Sequence, residues 1–178
     1  MKRKIDVFEY AKEITSSISK GILITTRADK VNSMTIGWGM LGVEWGLPVF
    51  ITYVRTGRFT AEQLLKNPEF TVNIPLGEFN RKILGICGSK SGRDIDKVKE
   101  ANLTLVEGNK ISVPAIKELP LTLECKVIYK QQQVLSEMPD DIQKSCYPQG
   151  VPSSNPMENK DVHIAFYGQI VDAYIIEE

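Results

Sequence analysis

Two arginines and two threonines fall together in Arg55-Thr56-Gly57-Arg58-Phe59-Thr60, at the end of an apolar run and ahead of a helical pattern. Guanidinium groups match a phosphate dianion in charge and shape, and the free N–H groups of a helix start favour the same anion. The segment predicts a phosphate site that uses Arg55, Arg58 and Thr60; a solvated turn with a threonine cap fits the same spacing. A second group, Asn32-Ser33-Met34-Thr35-Ile36-Gly37-Trp38, sets hydrogen-bonding side chains and flexible backbone beside a large aromatic. That is chemistry for the polar edge and the face of a planar ring, and equally the make-up of a hairpin shoulder with a core tryptophan. A third, Cys87-Gly88-Ser89-Lys90-Ser91-Gly92-Arg93-Asp94-Ile95-Asp96-Lys97, joins small residues to cations before a helix start. It fits either a backbone nest for phosphate or a surface loop. Cys87 and His163 would make a nucleophile and base only with an orienting acid, which the sequence does not identify, so no catalytic residue is assigned.

The elements that must carry these groups are mostly strands. Val7, Tyr10, Ala11, Ile14 and Ile18 recur at helical spacing and predict an opening amphipathic helix over 6–18. Residues 21–26 and 34–43 predict a hairpin, its second strand punctuated by Gly37, Gly39 and Gly42; glycines within a strand mark bulges or close approach of another group. Pro48 opens the apolar strand 49–54. Thr60-Ala61-Glu62-Gln63 has the form of a capping box for a helix that Asn67-Pro68 ends. A strand over 70–75, helices over 78–87 and 94–101, and a hairpin of 103–106 with 111–113 around the turn 107–110 follow. Residues 121–129 alternate, with Leu121, Leu123, Cys125, Val127 and Tyr129 on one face, which places Cys125 in the core. The long strand 164–176 suits barrel closure. The polar segment 130–161, around Cys146-Tyr147-Pro148, is too long for an ordinary connection and predicts a functional arm or a cover over the site. Many strands, few helices and no βαβ alternation favour an antiparallel barrel, so a nucleotide would be held without GxGxxG.

A length of 178 residues, with 42% hydrophobic and 25% charged, predicts one globular domain over 1–178. Lys plus Arg equals Asp plus Glu at 22 each, which removes the broad positive field of a nucleic-acid binder. No apolar run has the length of a membrane span, and Met1 to Ile14 lacks the apolar stretch of an export signal, so a cytoplasmic protein is expected. Cys87, Cys125 and Cys146 are scattered and His163 is the sole histidine, a set suited to reduced thiols rather than to disulfides or a metal site.

Taken in order, the three groups resemble the flavin reductase-like family of FMN-binding split barrels, including the flavoredoxins. The resemblance rests on Asn32 to Gly39, on Pro48-Val49-Phe50 leading to Tyr53-Val54-Arg55 and Arg58-Phe59-Thr60, on Cys87-Gly88-Ser89 with Ser91-Gly92-Arg93-Asp94 and Asp96-Lys97, and on His163 before Tyr167-Gly168-Gln169-Ile170. Gln169 stands where many relatives carry an acidic residue. The resemblance implies a mainly β fold, an antiparallel Greek-key split β-barrel with a few peripheral helices, that binds FMN. It implies flavin contacts from Asn32, Ser33, Met34, Thr35 and Trp38, polar-edge or phosphate contacts from Val54 and Arg55, and phosphate contacts from Arg58 and Thr60, with Ser89, Ser91 and Lys97 as further ligands. It also implies a homodimer, and an oxidoreductase fed by NAD(P)H or by a redox protein. The alternatives are a flavoredoxin-type carrier, which a local basic patch of Lys90, Arg93, Lys97 and Lys99 could steer to an acidic partner, and an interaction barrel without flavin.

Overall fold

The computed structural model describes residues 1–151 and 160–177. Its strands are β1 (Lys2–Lys4), β2 (Ile22–Arg27), β3 (Val31–Ile36), β4 (Gly39–Glu44), β5 (Leu47–Arg55), β6 (Glu69–Ile74), β7 (Leu105–Val106), β8 (Ala115–Ile116), β9 (Leu121–Gln132) and β10 (His163–Ile176). Its helices are α1 (Ala11–Ile18), α2 (Phe59–Lys66), α3 (Lys82–Ser89), α4 (Lys97–Glu100) and α5 (Asp140–Cys146). The main sheet runs β3-β2-β6-β9-β10-β5-β4 with every pair antiparallel, and β1 joins at β10. This is an antiparallel split barrel with peripheral helices.

β10 is the strand that closes it. On one side it pairs with β9 along nearly its whole length; on the other it pairs first with β5, from His163↔Arg55 to Gln169↔Val49, and then with β1. Register shifts at Tyr167/Gly168 and Ile170/Asp172 bend it through this change of partner. The inner face holds Ile22, Ile24, Phe50, Phe70, Leu123, Cys125 and Phe166, capped by Ile14 and Ile18 of α1. A second cluster covers the outside of β2, where Leu23 meets Ile83, Leu84 and Cys87 of α3 and Leu103, Ile116 and Leu119 beyond α4. β2 is therefore buried on both faces, which is why Ile22, Leu23 and Ile24 run without alternation and the buried Thr25 and Thr26 hydroxyls find partners in Ser33 and Gln63. The same covering buries Thr122 and Glu124, so β9 loses its expected alternation in the first half, and Tyr129 in the second half is 45% exposed.

Four expectations need correction. The single strand over 34–43 is two strands that part at Gly37-Trp38: β3 stays with β2 and β4 goes to β5. A Cβ on Gly39 would lie 2.9 Å from Phe50 Cζ and 3.2 Å from the Ile51 carbonyl oxygen, so close approach to β5 takes precedence over a continuous strand. The capping box does not form. Arg58 occupies the N-cap of α2 with no side-chain cap bond, while Thr60 and Gln63 turn inward to Asn32, Thr26 and Lys30. The hairpin of 103–106 is wider than expected: β7 pairs with β8, not with 111–113. Side chains rather than a ladder hold the loop between them, with the Glu124 carboxylate accepting from the Asn109 and Lys110 N–H groups at 2.7 Å each. α3 and α4 begin later than the pattern predicts because Asn80 and Asp96 accept their first N–H groups. The 130–161 segment contains the end of β9 and α5, and the part of it over 152–159 lies outside the described residues.

Gly168 sits where β10 crosses the core. An added Cβ would meet the Phe70 ring and stand 2.8 Å from Cys125 Cβ, and both neighbours are fully buried. Gly168→Ala is expected to destabilise the fold by about 2 kcal/mol, roughly 4–8 °C in Tm, and Gly168→Ala with Phe70→Leu to recover part of it. Thermal melts of the three proteins check this; an unchanged Tm in the single variant contradicts the close packing.

Candidate functional site

The parting of β3 and β4 opens a cavity of about 920 Å³. Four pieces of chain wall it: Asn32 to Trp38 at the end of β3, Tyr53 to Thr60 running from β5 into α2, Leu84 to Asp94 along α3 and its loop with Lys97 beyond, and His163 at the start of β10. Pairing of His163 with Arg55 fixes the second wall against the fourth.

One end of this cavity is cationic. Arg55 and Arg58 are half-buried, and that burial is the main cause that lowers both from the ordinary guanidinium range. Arg58 presses further on Arg55 and Arg93 on Arg58, against the opposing pull of Asp161. Arg93 pairs with Glu62, donates to the Gly57 carbonyl at 3.1 Å and stacks over Phe59. Lys97, 4% exposed, donates to the Cys87 carbonyl at 2.8 Å. Burial lowers it to about 8, Cys87 opposing and Arg58 assisting, and burial likewise raises the Cys87 thiol to about 11. That thiol is no nucleophile at neutral pH.

Beside the cations lies a buried acceptor with nothing to accept. Asn32 donates through Nδ2 to Thr60 Oγ1 at 3.0 Å, yet its Oδ1 has no hydrogen-bond partner among the described residues. A buried unsatisfied carbonyl costs on the order of 1–3 kcal/mol, so a ligand N–H or O–H that meets it recovers that cost. Gly92 packs directly on it: an added Cβ would collide with the Asn32 amide and lie 2.9 Å from Phe59 Cδ1. Met34, Ile36, Trp38 and Leu84 add apolar surface to the wall, and the Thr35 hydroxyl donates to the Leu84 carbonyl at 2.7 Å. Trp38 is 44% exposed, so it is a wall of the cavity and not a core tryptophan.

Of the residues predicted from sequence, Asn32, Met34, Thr35, Trp38, Arg55, Arg58, Thr60, Ser89, Ser91 and Lys97 line one cavity. Ser33 and Val54 do not. The Ser33 hydroxyl meets Thr25 Oγ1 at 2.8 Å on the far side of β3, and Val54 is fully buried in the barrel core. Arg55 lines the cavity, but its terminal nitrogens donate to the Asp161 and Cys146 carbonyls at 2.6 and 2.9 Å. Sequence reading passed over Tyr53, Gly57, Phe59, Leu84, Gly85, Gly92 and Arg93 as site residues. Strand alternation identifies the first of these: residues 53 and 55 share a face and 54 takes the other. His163 both begins a strand and lines the cavity. Burial, then Arg55 and Arg58, lower its imidazole to about 3, so it is neutral at physiological pH.

Donor set and shape fit a phosphate-bearing planar ligand, with cations and a helix start at one end, an orphaned amide oxygen beside them and an apolar slot beyond. A family model described as the flavin reductase like domain matches residues 15–178. An uncharacterized protein of Archaeoglobus fulgidus is 31% identical over 106 residues, 60% of this chain and 59% of the relative, so the matched part spans well under two thirds of that protein. Among solved structures, a flavoredoxin from Methanosarcina acetivorans superposes with a TM-score of 0.63 at 26% identity, covering 88% of this chain and 68% of that one. An FMN-binding domain of a flavin reductase-like enzyme from Shewanella baltica gives 0.66 at 14% identity over 98% and 77%. An NADH:FAD oxidoreductase from Streptomyces globisporus gives 0.61 at 16% over 88% and 75%.

Keeping Lys97 charged in this wall opposes folding without a ligand. Its folded pKa lies below the ordinary 10.5, so between about 8 and 10.5 the unfolded chain binds more protons and stability rises with pH. Lys97→Met is expected to stabilise the ligand-free protein at pH 7, and that advantage to shrink by about 3 kcal/mol as pH rises through this window. Urea titrations of both proteins at pH 7.5 and 10.5 measure it; a pH-independent difference removes the buried charge from the explanation.

Proposed function

The chain belongs to the family of flavin reductase like domains, and on that footing we propose that its cavity binds FMN and that the protein is an FMN-dependent oxidoreductase, taking electrons from NADH or NADPH. The observation that carries this reading is the presence of Arg58, Arg93 and Lys97 with the start of α2 in one cavity wall, together with the apolar side chains of Met34, Ile36, Trp38 and Leu84. Bound flavin would supply the two-electron chemistry, and the protein the binding and the tuning of the ring's surroundings. Arg58, Thr60 and the first N–H groups of α2 hold the phosphate. Arg93 braces the turn through Gly57, and Asn32 Oδ1 takes a proton donor of the ligand. Met34, Trp38 and Leu84 flank the ring and keep water from it. His163, neutral, adds no positive charge beside the ring.

A carrier reduced by another protein is the second reading, which the name of the Methanosarcina flavoredoxin favours. The basic patch that would steer such a partner is largely spent within the chain. Lys90 pairs with Glu100 at 2.6 Å, Arg93 with Glu62, Lys97 is buried, and Lys99 stands 3.7 Å from Asp96. Little field is left to guide an acidic surface, which favours the small nicotinamide donor.

A homodimer is part of the proposal. Met40, Ile51, Tyr167 and Tyr129 lie in register across β4, β5, β10 and β9 on the outer face, with Trp45 edge-on to Tyr129 at 6.1 Å. A second hollow, of about 740 Å³, continues this apolar surface and shares Trp38 and Tyr53 with the cavity. A second copy over this face would cover the surface and complete the slot.

FMN is expected to bind at one per chain and more tightly than riboflavin. Arg58→Ala should cost FMN about 1–3 kcal/mol and riboflavin little, with the fold intact. Equal affinity of the two ligands for the native protein contradicts the phosphate assignment, and a preference for FAD in the same titration moves the reading to the larger flavin. Anaerobic mixing of the loaded protein with NADH or NADPH should bleach the oxidised flavin within seconds; bleaching by a reduced redox protein alone would make it a carrier. Light scattering at micromolar concentration should give twice the 20.0 kDa of the chain, and Met40→Glu should lower that mass; a monomeric native protein refutes the dimer.

A further inference from the structure

The segment between β9 and β10, which carries no recognisable motif, sends one side chain back to the cavity wall. Tyr147, just past the end of α5, is 3% exposed, with its hydroxyl 2.8 Å from Gln133 Oε1 and 2.8 Å from His163 Nδ1. Its ring meets the imidazole edge-on at 5.6 Å and lies under the Arg55 guanidinium at 5.0 Å. The other side of the imidazole is taken by Trp38, ring centroids 4.8 Å apart.

Counting protons settles which way these bonds run. The His163 backbone N–H points at Gln133 Oε1 at 3.4 Å, and an N–H can only donate, so the amide oxygen faces this cluster. A carbonyl oxygen can only accept, so the single proton of the Tyr147 hydroxyl goes to Gln133. The hydroxyl must then accept from His163, which places the imidazole proton on Nδ1 and leaves Nε2 as the bare nitrogen.

We propose that Tyr147 is a positioning residue for the cavity: with Gln133 it holds His163 as the neutral Nδ1–H tautomer, clamped against Trp38 in the wall that faces the flavin ring. The last clause rests on the proposed function, and the tautomer does not. The groups facing the imidazole explain why it stays neutral. Arg55 and Tyr53 from β5, Arg58 from the start of α2 and Tyr147 from the end of α5 surround it, with Asp161 the described carboxylate acting on both arginines. Burial and the two guanidinium groups act together to keep a proton off.

Because His163 is the only histidine, its ring nitrogens are read without assignment ambiguity by long-range proton–nitrogen correlation NMR of the full chain. The native protein should show a protonated Nδ1 and an unprotonated Nε2, unchanged from pH 5 to pH 8. In Gln133→Leu the hydroxyl loses its acceptor and turns its proton to His163 Nδ1, so the tautomer should switch to Nε2–H. In Tyr147→Phe the ring packing stays and the bond is lost, and the Nδ1–H population should fall. In Tyr147→Ala water enters, and the imidazole should begin to titrate toward the ordinary value of about 6.5. An Nε2–H imidazole in the native protein, or a Gln133→Leu variant that keeps Nδ1–H, overturns the proposal. With FMN loaded, Gln133→Leu and Tyr147→Phe should keep one flavin per chain and change kcat/KM for the nicotinamide about ten-fold, the worth of one lost hydrogen bond. Unchanged kinetics in a variant whose tautomer has switched also overturns it. Failure of the native protein to take up FMN, with the imidazole behaving as stated, removes the cofactor reading and leaves the tautomer assignment standing.

Discussion

The guanidinium groups of Arg55 and Arg58 are kept half out of water within reach of each other, and the surrounding structure answers to that repulsion. Strand pairing with His163 sets the end of β5 and so the place of Arg55. Carbonyls of Cys146 and Asp161 and the ring of Tyr147 surround Arg55, and Arg58 caps α2 without a side-chain bond of its own to the helix. Burial lowers both the imidazole next to them and Lys97, and the neighbouring guanidinium groups add to the effect in each. Burial and like charge act together here, opposed in part by Asp161.

The same accounting separates the residues that stabilise the fold from those that oppose it. Ile22, Phe50, Phe70 and Phe166 are buried with nothing polar to satisfy, and together with the β9–β10 ladder they hold the barrel shut. Asn32, with one amide atom satisfied and the other not, and Lys97, charged and buried, contribute little or nothing to that. The two apolar clusters on either face of β2 offset that cost.

Much of this arrangement was legible in the sequence. The strands over 22–26, 49–54, 70–74 and 164–176 stand where their apolar, β-branched runs predict, and ten predicted contact residues share one cavity. The misses have physical causes. Thr60-Ala61-Glu62-Gln63 matches a capping box, but buried partners on β2 and β3 outcompete the local bond, and no local pattern records that competition. The break at Trp38 follows from the bulk of Phe50, which faces Gly39 only once β4 and β5 have paired. Ser33 and Val54 were carried in by the motifs around them, although the two-residue period of a strand turns the Val54 side chain into the core. The role of Tyr147 was illegible, because it depends on contacts with residues 133 and 163 that only the folded β9–β10 pair brings within reach.

The walls of the cavity differ in what it takes to move them. Those made by β3, β5 and His163 belong to ladders that run through the whole barrel, and loosening them means unzipping β10 from its neighbours. The wall from Leu84 to Asp94 is a short helix end and a glycine-punctuated turn, tied across the slot by the Thr35 hydroxyl and by Arg93. Local opening draws on segments outside the long ladders, so this wall is the one whose displacement leaves the β5–β10 and β9–β10 pairings intact. The stiff and the yielding sides of the slot thus belong to different parts of the chain, one woven through the barrel and the other held from outside it.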